Sequence, residues 1–386
     1  MAEHDVSTFV TGLGTRLATR SRHVVAFLGA GSSRACGLPD VQALQASIKD
    51  QLHGPQQVAY ERLTTTRNLE QALSRIRRIG AVVEGSDSID GLDAAAARAL
   101  DERICEIIVQ ELTREPTRSD PILDFGSWLA RSDYVRPLEV FTVNYDLLIE
   151  RALEAYGSPY FDGFVGYLRG NFRADYVESG SFEGSEELPR QFVRLWKLHG
   201  SLNWAWRDQG SYSEVVRLGA AVDSGSPVAI YPSDAKYEES RRMPFVVLQD
   251  RLRHALAEPE SLTLISGYAW GDDHLNELFF EASSRRARNE TIVFCFADIP
   301  EVLSRRAERT PNLQVISPTE AILGGIRAPW TSGPTALSED VWLNDQLRLG
   351  DFSYLARYLA RASASESTPI ALDMIRRIFD QGATNV

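Results

Sequence analysis

Short apolar runs punctuate the chain at His23–Leu28, Leu138–Thr142, Phe192–Leu198, Val228–Tyr231, Leu262–Gly267, Thr291–Phe296 and Leu313–Ile316. The clearest of them are apolar at nearly every position rather than at alternate ones, which is how strands read when a parallel sheet buries both of their faces. Helical spacing lies between several of these runs. Leu147–Leu153 is one example, and it leads to Gly157, a residue suited to the left-handed cap that ends a helix. Strands that alternate with helices predict an α/β fold built on a Rossmann-like, doubly wound parallel sheet.

Between the first and second runs lies far more chain than one crossover requires. Its apolar positions, Leu69, Leu73 and Ile76, then Ile104, Ile107, Ile108 and Leu112, recur with helical spacing, so a helical insertion subdomain is expected over residues 41–135. Gly85–Gly91 and Glu178–Arg190 read as loops. Beyond Pro329, amphipathic helices are expected around Trp342, Leu347, Phe352, Leu355 and Leu359. The expected division is therefore an α/β domain over 1–330, with the insertion inside it, and C-terminal helices over 331–386. The apolar faces of the insertion and of these last helices exceed what the sheet can cover, and such faces predict a homo-oligomer or a partner contact.

Composition narrows the function classes. Of the 386 residues, 53 are Asp or Glu and 41 Lys or Arg, so the net charge of −12 repels phosphate backbones and no direct nucleic-acid binding is expected. A hydrophobic share of 44% supports a sizeable core, and an aromatic share of 9% is too rich for a disordered chain. With no signal-type segment after Met1 and no membrane-length apolar run, a cytoplasmic protein without membrane contact is expected. The three cysteines, Cys36, Cys105 and Cys295, lie far apart without a CxxC pair, which predicts reduced core thiols and no structural zinc.

Candidate chemistry sits at the ends of the runs. His23–Leu28 passes directly into Gly29-Ala30-Gly31-Ser32-Ser33, a strand, glycine turn and helix start that would offer backbone N–H groups to a pyrophosphate. Arg34 stands where a full dinucleotide fingerprint has its third glycine. Asn144 follows the second run, at the edge where open α/β sheets place ligands. For Asp146 two readings stand side by side, a ribose ligand or an N-cap for the following helix. His199 sits at a strand end before Gly200, and histidine is the side chain best suited to proton traffic near neutral pH. His23, His254 and His274 lack such a setting and read as structural. Gly267 allows a ligand close to the backbone and Trp270 could wall a pocket. Asp272 and Asp273 read as caps of the helix that begins at His274, and Asp298, after the Thr291 run, is a candidate for adenosine hydroxyls.

Four segments in order, Gly29–Ser33 with Gly37-Leu38-Pro39-Asp40, Phe141–Asp146, Lys197–Ser201 and Gly267–Asp273, resemble the sirtuin family of NAD-consuming proteins over about residues 24–298. The last of them, with Trp270-Gly271-Asp272-Asp273, is similar to the sirtuin-like effectors of bacterial antiphage defence. The resemblance implies that Gly29, Ala30, Gly31, Ser32, Pro39, Asp40, Asp146, Gly267, Trp270 and Asp298 bind NAD. It further implies that Asn144 holds the nicotinamide ribose and a water, and that His199 is the general base. Family deacylases carry a four-cysteine zinc ribbon after the histidine, whereas only Cys295 follows His199, and Val41-Gln42-Ala43 replaces their nicotinamide-closing pair.

Water is thus the expected acceptor and an NAD⁺ glycohydrolase, releasing nicotinamide and ADP-ribose, the expected activity. Such an enzyme needs control in trans, so the resemblance implies a defence effector, acting by abortive infection, in complex with a hexameric HerA-family ATPase or a short Argonaute. A protein deacylase, or a non-catalytic sensor of an NAD-derived nucleotide, is the alternative.

Overall fold

Six parallel strands form the centre of the molecule: β1 (Val24–Leu28), β2 (Leu138–Thr142), β3 (Val193–Lys197), β4 (Leu262–Ser266), β5 (Glu290–Phe294) and β6 (Leu313–Ile316). They are seen in a computed structural model that describes residues 2–84, 87–178, 192–208, 213–221, 228–230, 243–285, 288–333 and 335–362. Across the sheet their order is β3-β2-β1-β4-β5-β6, every neighbouring pair parallel. All residues of β1 to β4 are buried, which explains the unbroken apolar sequence of β1 and the mainly apolar ones of β2 to β4, whose polar residues such as Glu139, Arg194 and Lys197 are buried as well. The chain winds from β1 through β2 to β3, then returns to the other flank of β1, so the winding reverses between β1 and β4. At such a reversal the crossovers diverge and leave a crevice above the carboxyl ends of the strands.

Ahead of β2 come α1 (Val6–Ala18), α2 (Ala30–Ala35), α3 (Val41–Gln51), α4 (Gly54–Thr64), α5 (Leu69–Val82), α6 (Ala94–Leu112) and α7 (Asp120–Arg131). After it come α8 (Leu148–Ala155), α9 (Phe245–Ala257), α10 (Asp273–Arg285), α11 (Glu301–Ala307) and α12 (Phe352–Ala362). One face of the sheet packs on α1, α7, α8 and α12 through Phe9, Leu13, Phe125, Trp128, Leu153, Phe352 and Leu355. The opposite face packs on α9, α10 and α11 through Phe245, Leu252, Leu275, Phe279 and Leu303. Full burial of each such side chain contributes about 1.5–3 kcal/mol.

Helices α3 to α6 form a separate core around Ile48, Leu63, Leu73, Ile76, Ile104 and Ile107. This core reaches the sheet domain through Tyr145 and Leu147, just past β2, and through Leu202, just past β3. The insertion is therefore seated over the carboxyl ends of two central strands.

Three expectations from the sequence need correction. Val228–Ile230 pairs antiparallel with Gly200–Asp208 in a second, five-stranded sheet, not in the parallel one, and Tyr231 lies outside the described residues. A short apolar run carries no record of its partner's direction. Trp342–Leu343 and Gln346–Leu347 form an antiparallel hairpin instead of helix, because Asn344 and Asp345 occupy positive φ values of 52° and 57° at its turn. Helix resumes only at Phe352. The described part of that C-terminal segment also folds back: α12 buries Phe352, Leu355 and Leu359 in the sheet's own core. Of the expected loops, Ser88–Gly91 lies between α5 and α6 as expected, while almost all of Glu178–Arg190 falls outside the described residues.

Candidate functional site

At the reversal point the backbones of two strand ends touch. Gly29 N–H donates to the Ser266 carbonyl at 3.0 Å and Gly31 N–H to the Gly267 carbonyl at 2.9 Å. A Cβ on Gly267 would lie 2.5 Å from Ser32 N, and one on Gly29 2.5 Å from the Gly267 oxygen. Glycine is required here for close packing of main chain on main chain. The same contacts use the Gly31 amide, and Ser32 N–H is taken by the Gly29 carbonyl at 3.0 Å, so two amides expected to face a phosphate are engaged within the protein.

A cleft of about 560 Å³ opens beside this turn, within the range of small-molecule sites. Ala30, Gly31, Asp40, Gly267, Trp270 and Asp298, six of the candidates, line it. Asp40 caps α3, its Oδ1 accepting Ala43 N–H at 2.9 Å, and pairs with Arg34 at 3.0 Å. Trp270 is buried at a positive φ of 59°, stacked on Phe280, so its wall is rigid. Asp298 is exposed at the lip beside Phe296. Tyr268, Arg118 and the Gly350–Ser353 segment also line it, and none of them was named from sequence as a candidate ligand contact.

Gly29, Ser32, Pro39, Asp146, Asn144 and His199 lie outside that lining. Asn144, 9% exposed, donates its amide nitrogen to Gly29 O at 3.0 Å, Ser32 Oγ at 3.0 Å and Ser33 Oγ at 2.8 Å. The amide locks the end of β2 to the glycine turn, leaving the carbonyl oxygen as the part of the side chain with capacity for a ligand. Asp146 accepts Ser33 Oγ–H at 2.6 Å and Leu148 N–H at 3.1 Å, one residue ahead of Leu147, which occupies the N-cap position of α8.

His199 is buried, with Nδ1 3.4 Å from Glu70 of α5 and Nε2 3.5 Å from Asp272. Burial lowers its pKa, but the negative carboxylates of Glu70 and Asp272 at ion-pair distance outweigh it and push the imidazole up to about 9. Burial raises the Asp272 carboxyl, yet His199 and the Leu275 and His274 amides hold it below its ordinary value. A chain of contacts joins this pair to the cleft: the Tyr268 hydroxyl donates to the Asp272 carbonyl at 3.2 Å and to Asn276 Oδ1 at 3.1 Å, and Tyr268 lines the cleft. Asn276 also donates to the Trp270 carbonyl at 3.0 Å and so braces the whole Gly267–Asp272 turn.

The other histidines stand apart. His254 and His274 are exposed. His23 lies 3.1 Å from Glu139 at the opposite, amino end of the sheet, where Trp196 Nε1 at 2.7 Å and Arg251 Nε at 2.8 Å also donate to that carboxylate. The three thiols are unpaired by disulfides, and burial pushes each up to about 12. Among the described residues, no group of three or more His, Cys, Asp or Glu side chains is arranged to hold a metal ion, and no helix is long and apolar enough to cross a membrane.

Residues 138–316, from the first residue of β2 to the last of β6, match the family model described as the SIR2-like domain. Over these residues, somewhat less than half of the chain, the protein is similar to a SIR2-like domain. No curated protein matches the chain. SIR2-like domains are NAD-dependent enzymes, and the large parallel sheet with its flanking helices is the expected α/β frame for one. Asn144, Asp146, His199, Gly267, Trp270 and Asp298 fall inside the matched segment of the SIR2-like domain. The glycine turn and Glu70 precede it.

Proposed function

We propose that the chain is an NAD⁺ glycohydrolase that breaks the bond between nicotinamide and ribose and transfers the ribosyl carbon to water. The observation that carries this reading is the convergence of Asn144, His199 and the glycine turn at one strand edge, joined through Asp272 and Tyr268 to a cleft of about 560 Å³. The reaction makes few demands. Nicotinamide leaves as a neutral molecule, positive charge gathers on the ribose, and water supplies the oxygen and loses one proton. Asn144 would place the ribose and the water through its carbonyl oxygen. His199 would take the proton once its imidazole is neutral, with Asp272 fixing the ring. Gly31, Gly267, Trp270, Asp40 and Asp298 would contact the rest of the dinucleotide.

The deacylase alternative lacks support from the residues: only one cysteine follows His199, and Val41-Gln42-Ala43 is the capped first turn of α3. As an effector that depletes NAD, the protein needs restraint. We read it as a cytoplasmic component of bacterial antiphage defence, homo-oligomeric and controlled by a hexameric HerA-family ATPase or a short Argonaute, with NAD as substrate and no zinc. Incubation of NAD⁺ with the activated assembly should release nicotinamide and ADP-ribose in equal amounts. Asn144→Ala and His199→Ala should each lower that release by about 10²–10⁴ while leaving the fold intact. Release within a few-fold of the parent in both variants would end this reading. ADP-ribose binding without turnover in the parent would replace it with the sensor.

A further inference from the structure

Both ring nitrogens of His199 face carboxylates, Glu70 at 3.4 Å and Asp272 at 3.5 Å. A neutral imidazole donates from one nitrogen only and offers a lone pair at the other, so a carboxylate on each side matches the doubly protonated cation. The two carboxylates are held differently. Asp272 is fixed by its own main chain, its Oδ1 accepting the His274 and Leu275 amides at 2.9 and 3.3 Å. Glu70 arrives from the insertion, in the first turn of α5, and α3 to α6 have a hydrophobic core of their own. Its side chain is 24% exposed, against 11% for Asp272 and 3% for His199. Glu70 is therefore the solvent-reaching member of the three, on the element most separable from the sheet.

Other charged and titratable groups close in from each neighbouring element. Tyr145, after β2, is held protonated by its burial and by the charge of Glu70, and Arg77 of α5 and Cys105 of α6 also act on its hydroxyl. Arg77 pairs with Asp101 at 2.9 Å. The Tyr268 hydroxyl touches the Asp272 main chain, while Lys197 at the end of β3 is directed to Glu150 at 2.9 Å. Both cations have carboxylates of their own, and Glu70 meets His199 at ion-pair distance.

We propose that Glu70 is a positioning residue that acts through His199: seated, it completes a two-sided ion pair that keeps the imidazole a cation, and its withdrawal with the start of α5 leaves Asp272 alone to orient a ring able to accept a proton. The inference rests on His199 as the acid–base residue of the proposed reaction. It makes the seating of the insertion a brake on the site. With Glu70 in place the imidazole's pKa of about 9 leaves roughly 1% of it unprotonated at pH 7. Loss of one flanking negative charge lowers that value, so the base form becomes more abundant near neutrality.

The test is Glu70→Gln in the full chain, which keeps the side chain's shape and leaves the Asn68–Gln71 cap of α5 untouched. His199 is titrated by NMR in parent and variant, ADP-ribose binding is measured in both, and nicotinamide release is followed from pH 5.5 to 9.5 on the order of ten points per profile. In the variant the imidazole midpoint should fall by at least about one pH unit, release at pH 7 should rise by about tenfold, and the pH at which release reaches half its maximum should fall with the midpoint. Damage to the fold could only lower activity, so a gain separates a released brake from a structural role. An unchanged midpoint overturns the proposal, and so does a fall in release with binding intact. A lowered midpoint in a protein whose activated assembly releases no nicotinamide upholds the role of Glu70 toward His199 and removes the glycohydrolase reading instead.

Discussion

Replacing Gly267 by alanine probes the contact on which the whole site is built. Two costs are superimposed there. Gly267 has φ of +67°, where an alanine pays about 1–2 kcal/mol for its left-handed backbone. Its new Cβ would also lie 2.5 Å from Ser32 N and 2.9 Å from two main-chain atoms of Gly31. No flexible side chain can give way, so the turn itself must move from β4, at a further cost of about 1–3 kcal/mol by analogy with overpacked cores. Gly157 supplies the control: its φ is +61°, and a Cβ there meets nothing within 4 Å. Gly157→Ala should thus lose about 1–2 kcal/mol in urea unfolding and Gly267→Ala about 2–5 kcal/mol. Since Gly31 and Gly267 both line the cleft, only the second variant should also weaken ADP-ribose binding, measured by calorimetry. Equal destabilisation in the two variants, with nucleotide affinity unchanged in both, would refute the claim that close approach of the backbones shapes the site.

Two further expectations concern buried charge. Lys197→Met strips the partner from Glu150, whose carboxyl burial already pushes up; the loss should be about 3–5 kcal/mol by chemical denaturation, shrinking as pH falls and Glu150 takes up a proton, and Lys197→Met with Glu150→Leu should recover most of it. His199 stabilises the fold in its cationic form, since its native pKa of about 9 exceeds the unfolded value near 6.5. That contribution is complete below pH 6.5 and is lost as pH rises through about 9, up to about 3 kcal/mol across the window. Stability curves of parent and His199→Gln should diverge at pH 6 and converge by pH 10. Parallel curves would count against the cationic state.

How much was legible follows from what each segment buries. Val24–Leu28 is enclosed on both faces and leaves an apolar run that sequence alone reveals, and Leu138–Thr142 does so with only Glu139 and Thr142 interrupting it. The Trp342–Leu347 hairpin was not legible as strand, because its outcome rests on two consecutive left-handed residues at Asn344 and Asp345 rather than on periodicity. Asn144 and Gly267 could be picked out because each closes a strand. Asp272 was legible only by half: one carboxylate oxygen caps α10 as its position before the helix suggests, and the other faces His199. Glu70 left no signal. It sits in an ordinary helix start, and only the docking of α5 over the strand ends brings it to the histidine. Tyr268 and Asn276 were likewise invisible, since their function is to brace a turn through hydrogen bonds that no spacing announces.

The large sheet ends in two very short strands. His4–Asp5 closes one margin against Ile326–Thr331, and Tyr160–Phe161 closes the other against β3, each only two residues long. A margin of that length presents almost no ladder of free amides and carbonyls to a neighbour, which is how native sheets avoid being extended by another chain. His4 is further tied down by its ring bonding to the Ile326 carbonyl at 2.9 Å. Along these two margins, contacts with another chain would be built by side chains meeting across helices or loops, whose geometry can be altered one residue at a time without unpicking the sheet that carries the site.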